Sequence, residues 1–151
     1  MQIEIGNLWE VKADFRGITT NGNVTKSGNA IMCKGVALQA KKKFVDIEKE
    51  LGLIILAGGN RLHLLNPNLF SFPTKYNWRD RSSLNLIRQS VAELKGLAER
   101  IPDRIFAIPL PGTENGGRKP HEIWPLLQDL PDNVKVVVLT SNMLPEKNYG
   151  N

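Results

Sequence analysis

Residues 84–109 read LNLIRQSVAELKGLAERIPDRIFAIP, and the two ends of that stretch carry different patterns. Leu84, Ile87, Val91, Leu94, Ala98 and Ile101 recur at steps of three and four, which lays one apolar stripe along a helix, and Ser82 or Ser83 is available as its N-cap. Arg104 to Pro109 has no such period and reads as a short buried strand. A long helix leading straight into a buried strand is a building unit of α/β folds.

The same alternation continues in both directions. Upstream, Arg61 to Leu65 and Leu69 to Phe72 read as strands around Asn66-Pro67-Asn68, whose turn-forming residues predict a hairpin or a short connection between neighbours. From Asp46, Ile47, Leu51, Ile54 and Ile55 keep a helical spacing, with Gly52 a local weakness and Gly58 where a left-handed cap would stand. Ala30 to Phe44 reads as a helix with Ile31, Val36, Leu38 and Ala40 toward the core. Ile3 to Leu8 and Phe15 to Thr20 read as strands, the second running into the polar, glycine-punctuated Asn21 to Asn29. Downstream come a glycine-rich loop at Gly112 to Lys119, a helix over Pro120 to Leu130 and a continuous apolar strand over Val134 to Leu139. Such alternation predicts a mixed, largely parallel sheet with helices on both faces and ligands beyond the carboxyl ends of its strands. One domain is expected over 1–141, followed by a polar, flexible tail at 142–151.

With 151 residues, 41% hydrophobic and 23% charged, the chain suits a single globular domain and not a disordered one. Its longest nearly apolar stretch, Leu51 to Ala57, is too short to span a bilayer, and Met1-Gln2-Ile3-Glu4 lacks the order of a signal peptide. A cytoplasmic protein without a membrane partner, and a monomer, is expected. One cysteine, Cys33, excludes an internal disulfide and a cysteine-built zinc site, and His63 and His121 stand far apart, so neither a metal nor a cofactor is expected. A net charge of +5 favours phosphate-bearing partners, though a basic surface alone does not say which. Lys41-Lys42-Lys43 fan out at about 100° per residue on a helix and read as a solvated face.

Three polar loops follow strands: Thr19 to Lys34, Thr74 to Arg81 and Gly112 to Lys119. In the first, Lys26-Ser27 lacks the preceding glycine of a P-loop, since Thr25 stands there. No GxGxxG motif occurs, and no Ser-His-Asp set can be assembled, with both histidines reading as structural. Gly112, Gly116 and Gly117 would let backbone amides approach a phosphate.

Taken together, Gly6-Asn7-Leu8, Asp14, Thr20-Asn21-Gly22, the run from Asn29 to Gln39, Phe72-Pro73-Thr74-Lys75, Pro111-Gly112 and Asn115-Gly116-Gly117 resemble a macro domain over about Gly6 to Leu139. Within that superfamily the chain is most similar to the branch of DNA ADP-ribosyl glycohydrolases, the antitoxins of DarTG systems, and terminal ADP-ribose protein glycohydrolases. The resemblance implies a three-layer α/β/α fold, a cleft for ADP-ribose or an ADP-ribosylated macromolecule, and hydrolase activity. The alternative is a non-catalytic module that recognises or sequesters ADP-ribose or a related nucleotide.

Residue by residue, the resemblance places Asn7, Leu8 and Thr20 beside the ligand and Asn21 at the distal ribose. Ala30, Ile31, Met32, Cys33, Lys34 and Gly35 would wrap the ribose and diphosphate from one side, Gly112, Thr113, Glu114, Asn115, Gly116 and Gly117 would form the opposite phosphate-binding wall, and Val36 and Pro111 would touch the ligand beside them. Lys75 matches the catalytic lysine, which attacks as a neutral amine; desolvation or nearby cations such as Arg79 or Arg81 would lower its pKa. Tyr76, Trp78 and Arg79 beside it suggest an edge facing nucleic acid. Five positions depart from the family pattern: Asn7 for an aspartate, Cys33 for a glycine, Thr113-Glu114 for Cys-Gly, and Gly116 for the aspartate of the protein-directed group.

Overall fold

The sheet of the computed structural model, which describes residues 1–146, has six strands: β1 (Gln2–Ile5), β2 (Phe15–Asn21), β3 (Leu64–Leu65), β4 (Leu69–Lys75), β5 (Phe106–Pro109) and β6 (Val134–Val138). Their order is β1-β6-β5-β2-β4-β3, parallel throughout except for the antiparallel β3–β4 pair. Helices α1 (Gly35–Lys43) and α2 (Ile47–Gly58) lie on one face; α3 (Leu84–Arg100) and the short α4 (Pro120–Ile123) lie on the other. This is the expected three-layer α/β/α arrangement.

Two apolar layers hold it. Ile87, Val91, Leu94 and Ala98, the stripe read from the sequence, pack with Trp124 and Leu127 against Phe70, Phe72, Phe106, Ile108, Val136 and Val138. On the opposite face Ile47, Leu51 and Ile55 of α2 close over Ile18, Leu65 and Leu69, while Leu8 and Val11 cover Ala107 and Val137. Gly17 lies under Phe70 and Ile108, where an added Cβ would come within 2.5 Å of a ring carbon.

Several boundaries differ from expectation. The run Ala30 to Lys34 is extended and α1 starts only at Gly35, so that Ala37 and Ala40 are its buried residues, with Val36 and Leu38 half-buried. The positive φ that ends α2 belongs to Gly59, one residue past Gly58; the ring of His63 reaches the Gly59 carbonyl at 2.9 Å and packs on Gly58. Arg61 to His63 pair with Ser71 through isolated bonds and only Leu64–Leu65 form strand. β4 runs on through Pro73 to Lys75, because β3 covers only its first residues and the missing N–H of Pro73 interrupts no ladder on that side. Pro125 cannot donate a helical bond, so the predicted helix to Leu130 becomes α4 followed by a 3-10 turn over Trp124–Leu127.

Beyond 141, Met143 lies in a 3-10 turn, packs against the core and accepts a bond from the Trp124 indole at 2.8 Å. The rest of the predicted tail, 147–151, lies outside the described residues. Among the described residues no helix is long and apolar enough to cross a membrane.

Candidate functional site

Parallel pairing puts the carboxyl ends of β1, β6, β5, β2 and β4 at one rim, and the loops leaving them enclose a cleft of about 1080 Å3 including its open mouth. At its floor, β2 bulges between Thr20 and Asn21, a feature common where a strand end is re-aimed beside a site. Thr20 is buried, and its Oγ1 has no hydrogen-bond partner among the described residues. The Asn21 amide donates to the Ile31 carbonyl at 3.0 Å and accepts from Asn23 N at 2.9 Å, so it ties the strand end to the first wall.

That first wall consists of Ile31 and Cys33 to Ala37. Ala30 and Met32, expected beside the ligand, point into the core instead. The loop's support is α2: Ala30 N donates to Glu48 O at 2.8 Å, and a Cβ on Gly52 would come within 2.0 Å of Gly28 O. Gly52, a weak point on propensity grounds, is thus where backbone lies directly on the helix.

The second wall is Gly112 to Gly116, with Pro111 buried and Gly117 outside the lining. Gly112 has φ +78°, and Glu114, exposed, takes φ +42°. Arg118 N donates to Gly112 O at 2.9 Å and its Nε to Ser82 O at 2.8 Å, while Arg81 Nε donates to Gly117 O at 3.2 Å. Glu122 pairs with both arginines and accepts from Lys119 N at 2.7 Å; that backbone bond, then the two guanidinium groups, hold its carboxyl below the usual range. The walls approach each other at Gly35, where a Cβ would stand 3.2 Å from Asn115 Nδ2.

Lys75 ends β4 between these walls. Its Nζ donates to the Asn115 carbonyl at 3.1 Å and, longer, to that of Trp78 at 3.4 Å. Burial lowers its pKa and the charge of Lys34 adds to that, while Cys33 and Asp80 act the other way. The cation beside it is therefore Lys34 and not Arg79 or Arg81: Arg79 stacks on Trp78, 4.9 Å from the ring centroid, and Arg81 is turned toward Glu122. Trp78 lines the cleft, its backbone N bound to Asn23 Oδ1 at 2.7 Å, whereas Tyr76 and Arg79 lie outside the lining and are exposed. Asn7 and Leu8 reach the cleft from the end of β1; the Asn7 side chain accepts from Trp9 N at 2.8 Å.

Thr19, Gln39, Thr74 and Ser82, to which the sequence assigns no ligand contact, also line the cleft. On sequence Ser82 reads only as a candidate helix cap, a role that Ser83 fills by accepting from Leu86 N at 3.2 Å. No group of three or more His, Cys, Asp or Glu that could hold a metal occurs among the described residues.

No family model matches the chain. A curated protein of Thermus aquaticus, "DNA ADP-ribosyl glycohydrolase", is 30% identical over 138 residues, which is 82% of this chain and 36% of that protein. The chain thus spans about a third of that relative. Among solved structures, the "Macrodomain of Thermus aquaticus DarG" is 27% identical with a TM-score of 0.68, covering 92% of this chain and 97% of that one. The "Macrodomain of Mycobacterium tuberculosis DarG" is 23% identical with a TM-score of 0.74, over 93% and 99%. "Thermosipho africanus DarTG in complex with ADP-ribose" has a TM-score of 0.76 at 17% identity, over 95% of this chain and 43% of that one.

Proposed function

Because this chain belongs to the macro-domain superfamily, we propose that it binds ADP-ribose in the cleft and frees it from a modified macromolecule, DNA ahead of protein, with Lys75 as the reacting amine. One observation carries the reading: an amine stands between the two glycine-bearing walls, its pKa lowered by burial and by Lys34. A neutral amine can form a bond to the anomeric carbon of the distal ribose as the bond to the modified base breaks. The electron pair leaves with the base, which takes up the proton that the amine sheds. Water then adds at the same carbon, releases ADP-ribose and restores the lysine. The walls would hold the diphosphate through backbone donors, and Asn21 would meet the distal ribose, with Thr20 beside it.

Two features support DNA as the carrier. The relative from Thermus aquaticus bears that activity in its name. Beside Lys75, Trp78 with Arg79 stacked on it and the exposed Tyr76 offer flat faces for unpaired bases and a charge for phosphate. A second reading, binding without turnover, is favoured by the two carbonyls that Lys75 Nζ meets, an arrangement suited to an ammonium.

The test is incubation with ADP-ribosylated single-stranded oligonucleotide and ADP-ribosylated protein side by side. Wild-type protein should release ADP-ribose, from the oligonucleotide in preference. Lys75→Ala and Lys75→Arg should release none, while their Kd for free ADP-ribose stays within about tenfold. Tight binding with no release from either conjugate would leave the binding module; full activity in Lys75→Ala would remove Lys75 from the mechanism.

A further inference from the structure

Ser82 is 1% exposed, and its Oγ has no hydrogen-bond partner among the described residues. Both of its backbone groups are committed: the N–H donates to Gly116 O at 2.9 Å and the carbonyl accepts from Arg118 Nε at 2.8 Å. The residue is therefore fixed in place, and its hydroxyl has no part in fixing it. A buried hydroxyl left without a partner costs stability, and one beside a cleft can recover that cost by bonding a ligand.

Its surroundings indicate what that use is. Ser82 lines the cleft together with Lys75. It is bonded to Gly116, the residue next to Asn115, whose carbonyl receives Lys75 Nζ. Serine hydroxyl and lysine amine therefore converge on consecutive residues of one turn. The glycine there is what admits the hydroxyl: a Cβ on Gly116 would lie 2.3 Å from Ser82 Oγ.

Resting on the reading of the cleft as an ADP-ribose site, we infer that Ser82 is a ligand-contacting residue. Its hydroxyl hydrogen-bonds a hydroxyl of the distal ribose and sets that sugar beside Lys75, and Gly116 keeps the space for it open. Serine can both donate and accept, which suits a sugar hydroxyl.

The experiment is Ser82→Ala, read by calorimetry with free ADP-ribose and by thermal unfolding without ligand. The Kd should rise about threefold to tenfold, as loss of a neutral hydrogen bond does. Without ligand the melting temperature should hold or rise, because an unpartnered buried hydroxyl has been removed. Gly116→Ala, whose Cβ crowds the same oxygen, should weaken binding in the wild-type background and much less in Ser82→Ala. An unchanged Kd in a folded Ser82→Ala variant overturns the inference while ADP-ribose binding by wild-type protein stands. A lowered melting temperature without ligand overturns it too, since the hydroxyl then serves the fold. No binding by wild-type protein overturns the reading of the cleft and this inference with it.

Discussion

Lys75 concentrates what single residues contribute. Burial and Lys34 lower its pKa from the ordinary 10.5, so the fraction of neutral amine at a given pH is larger than for a free lysine. If the neutral amine reacts, kcat/KM should climb with pH along a limb centred below 10.5. Lys34→Gln, which removes a neighbouring positive charge, should move that limb to higher pH; a limb that stays in place would mean another group titrates. The same shift bears on stability. Between the lowered folded value and the unfolded one the unfolded chain binds more protons, so the burden of Lys75 on folding is full below the folded value and fades as pH rises toward 10.5. Sequence marked Lys75 through its Phe-Pro-Thr-Lys setting, but linear proximity suggested Arg79 and Arg81 as the cations acting on it. Lys34 is 41 positions upstream, and only the loop tied back by Asn21 brings it there. Ser82 escaped notice for a related reason: a serine before a helix already has an adequate explanation as a cap.

At the scale of elements, periodicity located the helices because it reports the face each one buries, and α3 shows the stripe almost residue for residue. Where the pattern misled, competing chemistry was responsible. Ala30 and Met32 are apolar because the extended wall segment turns them under α2, which imitates the start of a helix. Gly52 is the counter-case, since no one-dimensional signal tells a helix weakened by glycine from a helix shaved to receive a backbone. That difference can be measured. In a free helix Gly→Ala gains about 1 kcal/mol from propensity. In α2 the new Cβ would press on Gly28 O at 2.0 Å, so Gly52→Ala should instead destabilise by about 1–3 kcal/mol in urea unfolding, as overpacking does. It should also weaken ADP-ribose binding, because Gly28 to Ala30 lead directly into the first wall. A more stable Gly52→Ala variant would mean that the loop does not bear on α2.

For the molecule as a whole, the strand order makes the site. The chain builds β2 and β4 with α1 and α2, then crosses through α3 to β5 on the other side of β2. The wall at 31–37 thus comes from the first half of the chain and the wall at 112–116 from the second, and the two approach each other where Gly35 faces Asn115. A ligand held between them bridges both halves and needs the folded sheet, so it should stabilise the entire domain. At a hundredfold excess over Kd, mass action supplies about 2.7 kcal/mol, which for a domain of this size is a rise of about 5–11 °C in melting temperature. A protein of net charge +5 also attracts anions without any site, and salt separates the two cases. Diffuse attraction at an exposed surface is screened within about 5 Å at several tenths molar salt, whereas backbone donors in a walled cleft act at contact distance. The rise with ADP-ribose should therefore persist at 0.5 M sodium chloride and exceed that given by pyrophosphate at equal concentration. A shift that salt abolishes, or that pyrophosphate matches, would reduce the cleft to a patch of positive charge.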